Sequence, residues 1–376
     1  MENTPVPLPR TPYPVVSAQR LAGNIARMQA LATHAGVRLR PHAKTHKSPV
    51  IARMQLDAGA VGICCAKLAE AEVFADAGIT DIRLPYPVNP SNADRVLALL
   101  DRITLSIIVD DLDVATQWSG VMTRAGKTLG VLVKVDVGFH RCGVDPDAPD
   151  VVETIARIAV LPGLSFRGLL SHAGQSYTAE SPYALAAIAA RETDIMTGLA
   201  AALRARGIAV DEISVGSTPT AALAPSQHGI TEMRPGNYVF FDRTQVGLGS
   251  ATIAHCALFV VATVVSRPAP DRAILDCGSK TLTSDGARGF GATPGFGSVF
   301  LSSDEDVPDP AIVIERVSEE HATCRVPVDS PLRPGDRVRV LPNHACTVTN
   351  LMDRLWLADE RGALTPLPVA ARGRIW

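Results

Sequence analysis

Between about residues 37 and 240, short apolar runs rich in β-branched residues alternate with longer stretches whose apolar positions recur at helical spacing. The runs fall at 37–43, 60–65, 81–86, 103–109, 129–137, 165–171, 210–216 and 231–240. The clearest helical stretches are 66–77 (AKLAEAEVFADA) and 183–206. Strands alternating with helices predict parallel βα units, and eight of them close a (β/α)8 TIM-type barrel. The alternative is an open doubly wound sheet; no GxGxxG follows the first run, which counts against a dinucleotide-binding sheet. From about residue 253 the helical period stops. Runs at 258–265, 273–275, 311–314 and 337–341 are separated by Gly, Pro, Asp and Ser, which predicts a C-terminal all-β domain. The expected organisation is a barrel over 17–245 and a β domain over 246–376, with residues 1–16 a candidate addition to the latter. The glycine-rich stretch 279–297 reads as a long functional loop.

Composition narrows the function. The 376 residues are 47% hydrophobic and 20% charged, enough for one large or two ordinary domains. A formal net charge of −2 gives no electrostatic case for nucleic acid or an anionic membrane. The opening MENTPVPLPRTPYP lacks the basic-then-apolar pattern of a secretory signal, and the strongest apolar run, 256–265, is too short to span a bilayer. The 7 cysteines are odd in number and irregularly spaced. No disulfide framework is expected, and the cytoplasm is the expected compartment.

In such a barrel the chemistry belongs at the C-terminal strand ends. Lys44 follows the first run within RPHAKTHKS, beside His42, His46 and Lys47. Cys64-Cys65 and Pro85-Tyr86 follow the next two runs. DVGFHRCGV carries Asp136, His140, Arg141 and Cys142 after the fifth, and SHAGQSY carries His172, Gln175 and Tyr177 after the sixth. GSTPT (216–220) and RPGNYVFFD (234–242) follow the last two. A lysine at a strand end can be desolvated and become a nucleophile toward carbonyls; read alone, Lys44 and Lys47 are solvated surface cations. GSTPT and RPGNY offer backbone N–H groups and hydroxyls suited to a phosphate, although such sequences are also ordinary turns. A carbonyl-binding lysine and a phosphate cup in one barrel suggest pyridoxal 5'-phosphate (PLP). In PNHACTVTN, His344 and Cys346 form an H-x-C pair, which on an extended segment would face one side and could hold one ion.

RPHAKTHKS, GICCAKLAEAEV, VDVGFHRCGV, GSTPT, RPGNYVFFD and PNHAC occur in the order found in the D-threonine aldolase/D-serine dehydratase family, which this chain resembles from about residue 10 to past 350. The resemblance implies an alanine-racemase-like fold and a PLP-dependent lyase of D-β-hydroxy-α-amino acids, usually a homodimer. It implies that Lys44 carries PLP, with Lys47 in support. Arg141 is implied beside the ring oxygen of the cofactor and Tyr177 against the cofactor. Ser217, Thr218, Gly236 and Asn237 are implied at the phosphate, with Tyr238 either supporting that wall or filling the core. His344 and Cys346 are implied as ligands of a divalent metal. A thiolate favours zinc, with manganese, cobalt or magnesium as alternatives. The aldolases known best carry aspartate where this chain has Cys346. They also carry a histidine just after a glutamine where this chain has Gln175-Ser176-Tyr177, although His172 could stand in as base. Those departures favour dehydration to a 2-oxo acid and ammonia, with D-serine or 3-hydroxy-D-aspartate as substrates. Retro-aldol cleavage to glycine and an aldehyde is the alternative, and an amino-acid racemase or a non-catalytic PLP-binding protein are the remaining readings. Tyr86 and the loop 279–297 are candidate walls for the β-substituent. His42, His46 and His140 read as structural, and the cysteines other than Cys346 as packing residues.

Overall fold

The structure, a computed structural model, describes residues 9–223, 228–302 and 307–376; residues 1–8 of the segment grouped with the β domain lie outside it. The chain forms two compact units. One comprises Arg27–Lys44, Pro49–Gly236 and Arg374–Trp376; the other comprises the chain up to Ala26, Thr45–Ser48 and Asn237–Gly373. These limits differ from the boundaries at 17 and 245. The first helix, Ala18–His34, is divided between the units, and the segment after Gly236 folds with the second unit.

The first strand, β1 (Tyr13–Ser17), belongs to the second unit. The larger unit holds β2 (Arg38–Leu39), β3 (Ile63–Cys64), β4 (Asp81–Pro87), β5 (Thr104–Val109), β6 (Leu129–Lys134), β7 (Leu164–Leu170), β8 (Glu212–Val215) and β9 (Glu232–Met233). All pair in parallel, in the order β2-β9-β8-β7-β6-β5-β4-β3. A parallel bridge between His42 and Cys64, with bonds from Val61 N to Leu39 O (2.9 Å) and Cys64 N to Pro41 O (2.8 Å), joins the two ends. Eight predicted strands are therefore eight strands in a βα barrel. Their apolar runs follow from burial on both faces; β5, TLSIIV, is buried at every position after its first. Ile108, Leu132 and Leu170 on three neighbouring strands are at most 1% exposed and form a core cluster. Side-chain caps start two of the outer helices: Asp111 accepts from Val114 N (2.8 Å) and Ser181 from Ala184 N (3.0 Å).

The barrel also buries an ionic layer. Glu232, fully buried, accepts from Arg40 Nε (2.9 Å), Ser214 Oγ (2.6 Å) and Arg83 Nη1. Arg83, also fully buried, reaches Glu212 (2.6 Å), and Arg40 reaches Asp81 (2.5 Å). Burial alone would raise the Glu232 carboxyl, but the Arg83 and Arg40 guanidinium groups and the Ser214 hydroxyl hold it at about 2.

The second unit is a sheet of β1, β10 (Leu258–Ala269), β11 (Arg272–Leu275), β12 (Ser298–Phe300), β13 (Val313–Val317), β14 (Ala322–Arg325), β15 (Arg337–Leu341), β16 (Arg354–Ala358) and β17 (Leu364–Pro368). The order is β11-β14-β13-β12-β15-β10-β1-β16-β17, and β10 pairs again with β11, so the first six strands close on themselves. Irregular register at Val264–Ala269 lets the long β10 serve β1, β15 and β11 in turn. The pairing is antiparallel except between β1 and β16. Among the described residues three short α-helices interrupt the unit, Arg243–Gly247, Ser279–Leu282 and Ala345–Leu351. All 7 cysteines are free thiols. Among the described residues no helix is long and apolar enough to cross a membrane.

Candidate active site

Among the basic side chains expected at the barrel's strand ends, Lys44 and Arg141 both act on His172. Lys44 sits in a 3-10 turn, Ala43–Thr45, because the first strand ends at Leu39 rather than at 43. Its side chain is exposed, contrary to the desolvated setting expected. Lys47 is the buried lysine, with Nζ 2.8 Å from Asn350 Oδ1, a structural tie within the second unit. His172 follows β7, and its Nδ1 lies 2.7 Å from Gly216 O. A carbonyl only accepts, so Nδ1 carries the proton and Nε2 is left as the acceptor. Burial, then the positive charges of Lys44 and Lys134, holds His172 well below the usual histidine range; Gly216 O opposes them and Arg141 adds to them.

Arg141 is exposed on the loop 136–143. Asp136 Oδ1 organises that loop by accepting from the N–H groups of Gly138 (2.9 Å), Phe139 (3.1 Å) and His140 (3.0 Å). Gly143 N donates to Asp110 Oδ2 (2.8 Å) at the other end. The Arg141 guanidinium stands 5.2 Å over the Phe139 ring, and that ring meets His172 edge-on at 5.9 Å. A Cβ on Gly174 would come within 2.6 Å of Phe139, so this packing takes glycine there. His140 is paired with Asp136 (3.0 Å), a structural role.

The turn 216–220, expected at a phosphate, is built on buried hydroxyl groups. Ser217, buried, is linked to Ser176 Oγ (3.0 Å) and Thr220 Oγ1 (2.9 Å), and Tyr177 shares a 3-10 turn with Ser176. The Thr218 hydroxyl is buried without a partner among the described residues. A Cβ at Gly216 would sit 3.0 Å from Arg234 N, so this bend takes glycine for close approach. An orphaned hydroxyl beside small residues fits an anionic oxygen ligand such as the PLP phosphate. Gly236 is buried at the end of the barrel unit. Lys134, the buried last residue of β6, was not singled out in the sequence; burial and the Arg234 charge lower it to about 7.

The second unit gathers Asn237, His344 and Cys346. Asn237 Nδ2 donates to Asp242 Oδ2 (2.6 Å) and lies 3.7 Å from Cys346 Sγ, and its Oδ1 has no partner among the described residues. Tyr238 is fully buried. The H-x-C segment is not extended: only His344 has extended backbone, as the cap of helix Ala345–Leu351, and Cys346 lies in its first turn. The two side chains are nevertheless near enough that each acts on the other's charge. Cys346 Sγ is also 3.2 Å from Thr45 Oγ1, the residue after Lys44 in the chain. Burial opposes ionisation of both, but each favours the other's charge, so His344 is raised and Cys346 lowered. Asp285 Oδ2 lies 2.6 Å from His344 Nδ1 and was not picked out by sequence reading. Among the described residues no group of three or more His, Cys, Asp or Glu is arranged around one ion point. An imidazole, a thiolate and a carboxylate on the outer ring nitrogen fit a two-ligand zinc-type site with open positions.

Comparisons with known proteins agree with this architecture. The chain matches the alanine racemase N-terminal domain over residues 16–244 and a serine dehydratase domain over 257–358. It is 37% identical to the D-threo-3-hydroxyaspartate dehydratase of Delftia sp. (strain HT23), covering 89% of this chain and 90% of that one. It is 36% identical to the D-threonine aldolase of Arthrobacter sp., covering 96% and 93%. The solved Delftia enzyme superposes with a TM-score of 0.90 over 96% of this chain and 97% of that one, at 34% identity. The barrel, the separate β unit and matches of this extent place the chain in the D-threonine aldolase/D-serine dehydratase family of PLP-dependent lyases with the alanine-racemase-like fold.

Proposed function

We propose that this enzyme is a zinc-assisted dehydratase converting a D-β-hydroxy-α-amino acid, such as D-serine or 3-hydroxy-D-aspartate, to a 2-oxo acid and ammonia. The observation that carries this reading is the neighbouring His344 and Cys346 side chains, with Asp285 Oδ2 2.6 Å from His344 Nδ1. A thiolate and an imidazole suit zinc better than magnesium or manganese. Solved structures of a D-threo-3-hydroxyaspartate dehydratase include a histidine-to-alanine variant and a variant with alanine replacing a cysteine two residues further on, the latter in a metal-free form. That spacing is the spacing of His344 and Cys346.

PLP, when bound, supplies the electron sink for breaking the Cα–H bond. Lys44 is proposed to hold it and afterwards, as a free amine, to take the Cα proton on Nζ. Ser217, Thr218 and the N–H groups of Gly236 and Asn237 would receive the phosphate, with Tyr238 behind them. Arg141, fixed by the loop that Asp136 organises, would meet the ring oxygen, and Tyr177 would pack on the ring. A divalent ion, when bound by His344 and Cys346, supplies Lewis acidity to a β-hydroxyl. Net loss of water, then hydrolysis, gives the 2-oxo acid and ammonia. A homodimer and a cytoplasmic setting belong to the same proposal.

One observation favours retro-aldol cleavage instead. His172 is neutral with Nε2 as acceptor, the form a base needs to take a β-hydroxyl proton. The deciding experiment is product identification by NMR with D-threonine, using metal-stripped and zinc-restored enzyme in parallel. 2-Oxobutyrate and ammonia restored by zinc support dehydration; glycine and acetaldehyde refute it in favour of the aldolase reaction.

A further inference from the structure

We propose that Asp285 is a positioning residue for the metal pair, fixing the tautomer and ring direction of His344 and thereby setting the affinity of the site. This rests on the reading that His344 and Cys346 hold a metal. Asp285 Oδ2 accepts from His344 Nδ1 at 2.6 Å, which leaves Nε2 as the nitrogen with a lone pair for an ion. The carboxylate therefore holds one nitrogen of the ring, with Cys346 near the same imidazole. A carboxylate on the outer nitrogen also makes the ligand more basic.

The carboxylate is itself held. Asn343, 1% exposed and immediately before His344, donates from Nδ2 to Asp285 O (2.9 Å) and to Gly295 O (3.0 Å). One side chain thus ties both ends of the glycine-rich loop 285–295. Arg243 Nη1 donates to Asn343 Oδ1 (3.0 Å) and Gly295 O (2.9 Å), and Nη2 to Pro294 O (2.7 Å). Within the loop, Gly291 N donates to Gly247 O (2.8 Å). The loop therefore presents Asp285 to His344 from a fixed base, the arrangement a supporting residue requires.

The test is zinc titration of metal-stripped full-length protein against a chromophoric chelator, with cobalt absorption as a second readout of the thiolate and imidazole ligands. Asp285→Ala should bind zinc roughly 10–100-fold more weakly than wild type and show altered cobalt bands. Asp285→Asn keeps an acceptor for Nδ1–H but no charge, and should fall between the two, at least about 3-fold weaker than wild type on the same basis. The Asn variant carries the test alone if the Ala variant does not fold. Zinc affinity within about two-fold of wild type in Asp285→Ala, or unchanged affinity in Asp285→Asn, overturns the inference. His344→Ala separates the two levels. Zinc lost there but kept in Asp285→Ala refutes Asp285 alone; wild type binding no more zinc than His344→Ala refutes the metal reading and this inference together.

Discussion

Replacing Glu232 with glutamine removes one negative charge from a site where two guanidinium groups depend on it. Glu232 is fully buried, and Arg40 and Arg83 both donate to it. Its carboxyl is held at about 2 against an ordinary value of 4.5. At 1.36 kcal/mol per pH unit, that difference contributes about 3 kcal/mol to stability. Breaking a buried ion pair by removing one partner costs roughly 3–5 kcal/mol, and the remaining partners Asp81 and Glu212 argue for the lower end. For a unit of this size about 3 kcal/mol lowers an unfolding midpoint by roughly 6–12 °C. The folded carboxyl is the stronger acid, so its contribution is complete above pH 4.5 and lost as pH falls toward 2. Thermal unfolding of wild type and Glu232→Gln, followed by circular dichroism, should show that full gap at pH 7 and at pH about 5.5, and a narrower one at pH about 3.5. Equal midpoints at pH 7, or a gap that does not shrink in acid, would refute the reasoning.

Three further outcomes are expected. Lys44→Ala should lose the visible absorbance of bound PLP and all turnover while keeping its circular dichroism; retained absorbance refutes the lysine assignment. Asp136→Ala leaves three loop N–H groups without their acceptor and should weaken PLP retention on dialysis, whereas Asp136→Asn, which keeps the oxygen, should restore most of it; equal retention in the two variants contradicts the loop's role in placing Arg141. His172→Asn should lower kcat/KM by roughly 10²–10⁴-fold if the imidazole transfers a proton. Because His172 is held below 6.5 and works neutral, the acid limb it contributes in wild type should lie below pH 6.5; a limb at or above that value counts against it.

The barrel was legible because parallel strands covered on both faces must be apolar runs, and all eight runs contain a strand. The ionic layer was not, since Arg83 and Glu232 are 149 positions apart and each residue type ordinarily reads as surface. The length of the first run misled for a local reason: regular strand ends at Leu39, the backbone keeps its parallel pairing only as isolated bonds up to His42, and it turns at Ala43. His344 and Cys346 were visible as a spaced pair, but the helix beginning between them was not. Asp285 was hidden in a glycine-rich loop 59 positions before its partner. Lys134 was passed over because it ends LGVLVK, a run that reads simply as strand.

The place of β1 imposes an order on biosynthesis. Val15 is hydrogen-bonded in register with Phe259 on one side and Trp356 on the other. A ribosome adding about 5–20 residues per second makes the second partner roughly 17–70 s after the strand itself. Both edges of this apolar segment stay open while the whole barrel is being made, and the edge that meets Trp356 stays open for the full interval. Its shortness and Pro14, which cannot donate a backbone hydrogen bond, limit what it can pair with meanwhile. The sheet that holds β1 is thus completed only after every strand of the barrel has been translated.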